Sequence, residues 1–535
     1  MPLPFQTARS EHTRVAHCPT LLDATFAFKL GAMFRSWFFV FVLLLTVCPA
    51  FGQSDDTPVE QRPWFVAQTA HFNIYSCGSV QDTYRLAGQM EQFCRAYSLL
   101  AGKDAVESPP IIVLAFPDHD SMKPFLPLYN GQPGNIAGFF TRGSDENLIV
   151  LSLPSADSPD MDVIFHEYAH LLLRRNEEAW PLWLKEGMAE VYSTFKVLGN
   201  HVEIARPIDR HLETLANEPL MPLDELFSVG RDSAQYNEAT RQGMFYAESW
   251  LLTLYLMAGD SPILRERFAQ YTPLLKQGES PVQAFTNALG VSLPTMQAEL
   301  KRYAQAGRFT PIVLRLNGTI ATPVTITSRR VTPVEILFRF GDEQLHIGRM
   351  DSAASWFKQA QQLAPASPLP YEGLALLAEE QDNAGEALSD LQQAAKLGPL
   401  SYVAHYVYAK EKYHETVHGE NMYGRIEGDQ AAEVRGELKK SIALMPSFGP
   451  AHELLGFFEM VQGDNLALSE QQLQYAIQLE PENQSYQFTL AQVQLSEHEL
   501  DAARRTLQPL LLLPNVDPKL RASAQTLSQQ INGAN

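Results

Sequence analysis

From Val334 to its end this chain repeats itself, and a repeat limits the possible folds more tightly than any composition does. Five matching phrases end in proline: QLAP (362–365), KLGP (396–399), ALMP (443–446), QLEP (478–481) and LLLP (511–514). Successive prolines lie 34, 47, 35 and 33 residues apart, and the long interval holds the polar insertion HETVHGENMYGRIEGDQ (414–430). A small residue stands five places before the proline in four phrases (Ala360, Ala394, Ser441, Ala476), and a leucine stands two places before it. A unit of this length cannot bury its apolar face alone, so successive units must stack. An irregular helical bundle gives no reason for prolines at a fixed spacing.

The period and the Ala…Leu-x-Pro signature resemble tetratricopeptide repeats. The resemblance implies an all-α solenoid of paired antiparallel helices over 334–535. Its groove is expected to hold a protein partner or to serve as scaffold, and its hydrophobic pattern looks self-contained. Ahead of it, TPIVLRLNGTIATPVTITSRRVTP (310–333) reads as a β-rich connector, 309–333, with Asn317-Gly318 at the turn of a hairpin.

A length of 535 residues, 45% of them hydrophobic, allows two to four packed domains. A net charge of −20 argues against a nucleic-acid partner, which needs a basic surface. Residues 1–52 read as leader and signal peptide with the true start at Met33. Arg35 precedes an apolar core from Trp37 to Val47, then Pro49, and Ala50 and Gly52 fit cleavage before Gln53. Val47 before Cys48 disfavours lipoprotein anchoring through that cysteine, because lipoprotein signals want a small residue there. No other segment has eighteen consecutive apolar residues, so the mature chain is expected to be exported, periplasmic or secreted, without a transmembrane span. It keeps Cys77 and Cys94. The first ends a strand and the second lies far along the following helix, too distant for a disulfide.

Residues 53–308 mix strands and helices. Candidate strands are HFNIYS (71–76), PIIVLAF (110–116), IAGFF (136–140) and NLIVLSL (147–153), and beyond Pro154 the pattern is helical almost to Arg308. SPDMDVIFHEYAHLLLRR opens as a helix, with Ser158 as N-cap, Pro159 at the first helical position, and Asp160 and Asp162 in the first turn. On it His166 and His170 stand four apart, so both imidazoles leave one face, with Glu167 beside them. Two imidazoles, one further ligand and an open position are what catalytic zinc requires. After the turn NEEAW, Pro181 opens a second helix, PLWLKEGMAEVYSTF. There Glu186 is the candidate third ligand, and Gly187 leaves room for close packing. Glu190, one turn on, can orient a ligand histidine. The competing reading of Glu186 and Glu190 is the solvated edge of an amphipathic helix.

HEYAH followed by WLKEGMAEVY resembles the gluzincin metallopeptidases, and specifically the peptidase MA-like domains fused to tetratricopeptide repeats in exported bacterial proteins. The resemblance covers about residues 65–305. It implies an α+β zincin-like domain, a small mixed sheet plus active-site helices, ahead of the solenoid. It implies one Zn2+ per chain on His166, His170 and Glu186, with Glu167 as general base and later proton donor. FYAESWLLTLYL resembles the family's later helix, where Tyr246 would face the oxyanion; an aromatic there also suits plain packing. The Gly-x-Met-Glu-Asn motif by which related aminopeptidases hold a free amine is absent, so the expected activity is endopeptidase cleavage of a peptide or protein. IAGFF, just before the zinc helix, offers an edge to an extended substrate. The alternative is a non-catalytic interaction scaffold with a structural or degenerate zinc domain. The retained Glu167 speaks against it, because a structural site has no use for a base. The sequence does not disclose the substrate.

Overall fold

Strands β2 (Phe72–Ser76), β3 (Ile111–Phe116) and β7 (Asn147–Ser152) are the apolar, β-branched runs of the N-terminal half. They form the middle of a six-stranded sheet in the order β11-β1-β2-β3-β7-β6. The other members are β1 (Phe65–Gln68), β6 (Gly138–Arg142) and β11 (Thr327–Arg330). The neighbours β2, β3 and β7 run parallel; β6 pairs antiparallel with β7 and forms one edge. The computed structural model describes residues 57–101, 110–129, 132–133, 138–143, 145–153, 160–177, 179–199, 201–230, 233–237, 239–315, 324–417, 424–481, 483–513 and 516–533. The leader with Met33 and Cys48, the helix start at Ser158 and Pro159, and the Asn317-Gly318 turn lie outside these residues. Val59–Asn535 form one unit.

The central strands are buried on both faces, as unbroken apolar runs must be. Along β3, Ile111, Val113 and Ala115 join one buried cluster, while Ile112, Leu114 and Phe116 join a second. The first cluster is built with helices α1 (Val80–Ala101), α3 (Asp160–Glu177) and α4 (Leu182–Ser193). Four-residue α2 (His119–Met122) precedes a short ribbon of β4 (Leu128–Tyr129) and β5 (Gln132–Pro133). Cys77 and Cys94 are both free thiols.

The chain after Pro154 is not helical throughout. KVLGNHVEI folds as a hairpin of β8 (Lys196–Leu198) and β9 (His201–Ile204), because it alternates apolar and polar residues and Gly199 takes φ +64° at the turn. Helices α5 (Asp209–Asn217), α6 (Leu223–Ser228), α7 (Ala234–Asn237), α8 (Ala239–Ala258), α9 (Pro262–Phe268), α10 (Tyr271–Lys276), α11 (Pro281–Leu289) and α12 (Leu293–Ala306) follow. The expected connector hairpin has its Asn317-Gly318 turn and its second arm outside the described residues. Strand β10 (Ile312–Arg315) pairs with β9 and β11 pairs with β1, so the connector is divided between two sheets. Each of the two strands adds to the edge of a sheet.

The C-terminal half is a run of helical pairs: α13 (Pro333–His346) with α14 (Met350–Leu363), α15 (Leu369–Glu380) with α16 (Ala384–Leu397), α17 (Tyr402–Thr416) with α18 (Gly428–Leu444), α19 (Gly449–Gln462) with α20 (Leu466–Leu479), and α21 (Gln484–Ser496) with α22 (Leu500–Leu512). Helix α23 (Pro518–Gly533) follows. Local signals start many of these helices: Thr332, Asn383, Ser401 and Asn465 each cap one with a side-chain oxygen. The small residues of the repeat signature, Ala360, Ala394, Ser441 and Ala476, are wholly buried, whereas Leu363, Leu444 and Leu512 are more than half exposed. The small residue is thus buried in every one of these four phrases, while the leucine is buried at Leu479 but exposed at three others.

The array is not self-contained. In α13, Ile336 and Phe340 cover the second face of the sheet, packed with Trp64, Phe116 and Phe125. At the other end Leu513 and Val516 belong to the cluster of the N-terminal helices.

Buried Glu248 on α8 gives the fold a measurable pH dependence. Its Oε2 accepts from the Met221 N–H at 2.7 Å, and its Oε1 is buried without a hydrogen-bond partner. Burial pushes its pKa from an ordinary 4.5 to about 8. A carboxyl whose folded value is raised stays protonated while its unfolded counterpart ionises, so stability falls as pH climbs from 4.5 toward 8. Glu248→Gln is expected to remove about 1.4 kcal/mol per pH unit from that fall. Denaturant titrations at intervals from pH 5 to pH 8 check this; parallel curves for the two proteins would count against it.

Candidate metal centre

Helices α3 and α4 form a hairpin, and three nitrogen and oxygen atoms meet between them. His166 Nε2 lies 3.2 Å from His170 Nε2. Glu186 Oε2 lies 3.3 Å from the first and 3.4 Å from the second. Ligands about 2.0–2.1 Å from a tetrahedral ion stand roughly 3.3 Å apart, so the three separations suit one small cation. Glu186 is only 4% exposed, and its Oε2 is buried without a hydrogen-bond partner. Burial alone would raise the Glu186 pKa, but the two imidazoles more than offset that and hold it at about 2. Burial alone would likewise lower the His166 pKa, yet the charges of Glu190 and Glu186 raise it. The buried carboxylates thus call for positive charge between the histidines, from protons or from a cation. The donor set, two imidazoles and one carboxylate, fits zinc.

Glu186 reaches this point because α4 packs closely on α8. A Cβ on Gly187 would stand 2.2 Å from Thr253 Oγ1 and 2.4 Å from the Ser249 carbonyl oxygen. Any larger residue would push the helix, and Glu186 with it, away.

Glu190, at 2% exposure, sits behind His166. Its Oε1 is 3.5 Å from His166 Nδ1, its two oxygens each accept from Arg210 Nη2 at 3.2 Å, and His211 Nε2 is 3.2 Å from its Oε2. Burial opposes its charge, but its interactions with His166, His211 and Arg210 win and hold its pKa at about 2. The carboxylate therefore remains charged, 3.5 Å from the His166 ring.

Glu167 is half-buried, and among the described residues no hydrogen bond or ion pair occupies it. Tyr246, on α8, has its ring 6.0 Å from that of His166. Burial, then the charge of Glu186 and the neighbouring Tyr236, push its phenol pKa far up; Glu167 adds to the effect. It is therefore a neutral O–H donor at physiological pH. All six sequence-chosen residues, His166, Glu167, His170, Glu186, Glu190 and Tyr246, fall in this one region.

Three more were not anticipated. Tyr236, on α7, donates to Glu186 Oε1 at 3.4 Å, while Arg210 and His211, on α5, hold Glu190. Tyr236 sits in the polar, aperiodic RDSAQYNEAT, which gives no signal. In PIDRHLET the only hint is a histidine beside an arginine in the first turn of an amphipathic helix.

Two other groups bring potential ligands together. His71, Glu91 and Cys94 are already satisfied: His71 Nδ1 is 2.8 Å from Glu91 Oε2, and Cys94 touches the Tyr168 hydroxyl. Burial also pushes the Cys94 thiol pKa up, against metal binding. Asp145, Asp342 and His346 enclose a resident cation instead, since Arg339 Nη1 lies 3.1 Å from Asp342 Oδ2.

No protein-family model and no curated protein matches this chain. Solved structures similar to it include YrrB, described as a TPR protein with an unusual peptide-binding site, at 13% identity over 36% of this chain and 90% of that one, TM-score 0.29. TTC0263, a thermophilic TPR protein in Thermus thermophilus, is 21% identical over 36% of this chain and 98% of its own, TM-score 0.29. PilW, a widely conserved type IV pilus biogenesis factor, is 16% identical over 38% and 92%, TM-score 0.30. The first two are tetratricopeptide-repeat proteins by description; on its own period and pairing, the C-terminal half of this chain is a run of similar helical repeats.

Proposed function

We propose that this chain is a zinc-dependent peptide hydrolase of the gluzincin type, acting as an endopeptidase in an exported protein, with a zincin-like N-terminal domain. The observation that carries the reading is the meeting of His166 Nε2, His170 Nε2 and Glu186 Oε2 at tetrahedral separations, beside an unpaired Glu167. Zinc held there supplies a Lewis acid and an acidified water. Glu167 accepts the proton of the attacking water and delivers it to the departing amine nitrogen. Glu190, held by Arg210 and His211, keeps the His166 ring in the orientation that presents Nε2 to the centre. Tyr246 keeps its phenolic proton and is available to the developing oxyanion. Strand β6, at the sheet edge and packed on α3, gives an extended peptide a backbone to pair with. Among the described residues no helix is long and apolar enough to cross a membrane.

A second reading is a protein-interaction scaffold in which the repeats act and the metal domain is structural. The helical array favours it, and it is the reading with which the similar solved structures agree. Digestion of a mixed peptide library separates the two. The hydrolase cleaves it, loses cleavage on chelation and regains it with one equivalent of zinc. A zinc-replete chain that cleaves nothing leaves the scaffold.

A further inference from the structure

Gly143, Asp145 and Glu146, between β6 and β7, lie half-buried against the repeats. Gly143 N–H donates to the Glu146 carbonyl at 2.9 Å and closes the turn. Arg339 Nη1, on α13, donates to Glu146 Oε2 at 2.7 Å, and the Tyr402 hydroxyl, on α17, donates to Glu146 Oε1 at 3.3 Å and to the Asp145 carbonyl at 3.4 Å. His346 Nε2 is 3.0 Å from Asp145 Oδ1, while its Nδ1 is 2.8 Å from the Asp342 carbonyl. Both ring nitrogens thus face acceptors, which requires an imidazolium. Arg339 and Glu146 keep only 16% and 13% side-chain exposure, and His346 and Asp145 only 7% and 18%. These are charge-assisted contacts largely out of water, unlike ordinary surface pairs. The turn is shaped for them: a Cβ on Gly143 would stand 2.4 Å from His346 Nε2.

The apolar seam of Ile336 and Phe340 already joins the array to the sheet, so this polar clamp is not needed merely to hold the halves together. What it grips is the end of the one hairpin whose free edge flanks the metal helix. Arg339, Asp342 and His346 lie three and four places apart along α13, on one face turned to the turn, and Tyr402 reaches it from two hairpins further along.

We infer that Arg339, His346 and Tyr402 are positioning residues: the first repeats clamp the acidic Asp145-Glu146 turn and so fix edge strand β6 where it receives a peptide beside α3. This rests on the peptide-hydrolase reading for its consequence, though not for its geometry. The repeat surface at this place is engaged by the chain's own segment, and an acidic peptide in trans would have to displace it.

The test uses the full-length zinc-loaded protein with two variants distant from the metal ligands. Tyr402→Phe keeps the ring on Phe448 but removes the hydroxyl, and Gly143→Ala wedges the turn off His346. Amide hydrogen exchange over β6 is expected to quicken about tenfold in each, the scale of one lost hydrogen bond to a charged group, while zinc stays at one equivalent. On a quenched fluorescent decapeptide library, KM should rise with kcat held, the pattern of lost uniform binding. A general loss of stability would instead quicken exchange throughout and lower kcat with it. Unchanged β6 exchange and KM in both variants would overturn the clamp. If the native protein cleaves no peptide, the hydrolase reading fails, and β6 exchange alone decides whether the repeats hold the strand.

Discussion

Replacing Glu167 by glutamine is expected to leave zinc in place and to slow peptide cleavage by about 10²–10⁴-fold, the range for losing a general base. Volume and helix compatibility are preserved, and neither histidine nor Glu186 is touched. What disappears is the one carboxylate in the site that no described neighbour engages. Glu190 cannot take over, because it lies behind His166 and is held by Arg210 and His211. Nor can Glu186, whose Oε2 faces both imidazoles. The effect should therefore fall at the upper end of the range, in kcat and kcat/KM alike. Native and Glu167→Gln proteins are compared at matched zinc content on one responsive peptide. Undiminished cleavage by the variant would exclude Glu167 as the base.

The second large effect concerns the metal. His170→Ala removes one of three donors and leaves a helix-favouring residue in its place. Two protein ligands do not make a stoichiometric zinc site, so metal content after dialysis should fall from one equivalent to none. Thermal stability offers an independent readout. Zinc at about a thousand times its dissociation constant stabilises a binding-competent fold by about 4 kcal/mol, and the variant should show no such gain. A variant that keeps a full equivalent of zinc would place the binding site elsewhere.

The meeting of the candidate residues was largely legible because it is written in local spacing. His166 and His170 share a helix face by periodicity alone, and the α3–α4 connection is so short that Glu186 has few places to go. Gly187 was readable as a packing residue for the same reason, although only the structure shows Thr253 and Ser249 against it. Tyr236, Arg210 and His211 were not legible. Their place is set by how α5 and α7 dock on α4 and α8, and no periodicity carries that information. The division of the connector was hidden likewise: which sheet edges IVLR and TSRR join depends on which edges remain open, and no local pattern carries that. The repeat frame was clear from its prolines. The double duty of α13 was not, since Ile336 and Phe340 have the same spacing whether they face another repeat or a sheet. In KVLGNHVEI, the strand alternation is short enough to be lost between long helices.

The measurement that tests the account most directly is anomalous scattering at the zinc edge from crystals of the zinc-loaded protein. It reports the metal's identity and its place together, independently of any substrate. The account expects a single protein-bound peak about 2.0–2.1 Å from His166 Nε2 and His170 Nε2 and at a similar distance from Glu186 Oε2. A peak at His71, Glu91 and Cys94, or at Asp145, Asp342 and His346, with none between α3 and α4, would contradict it.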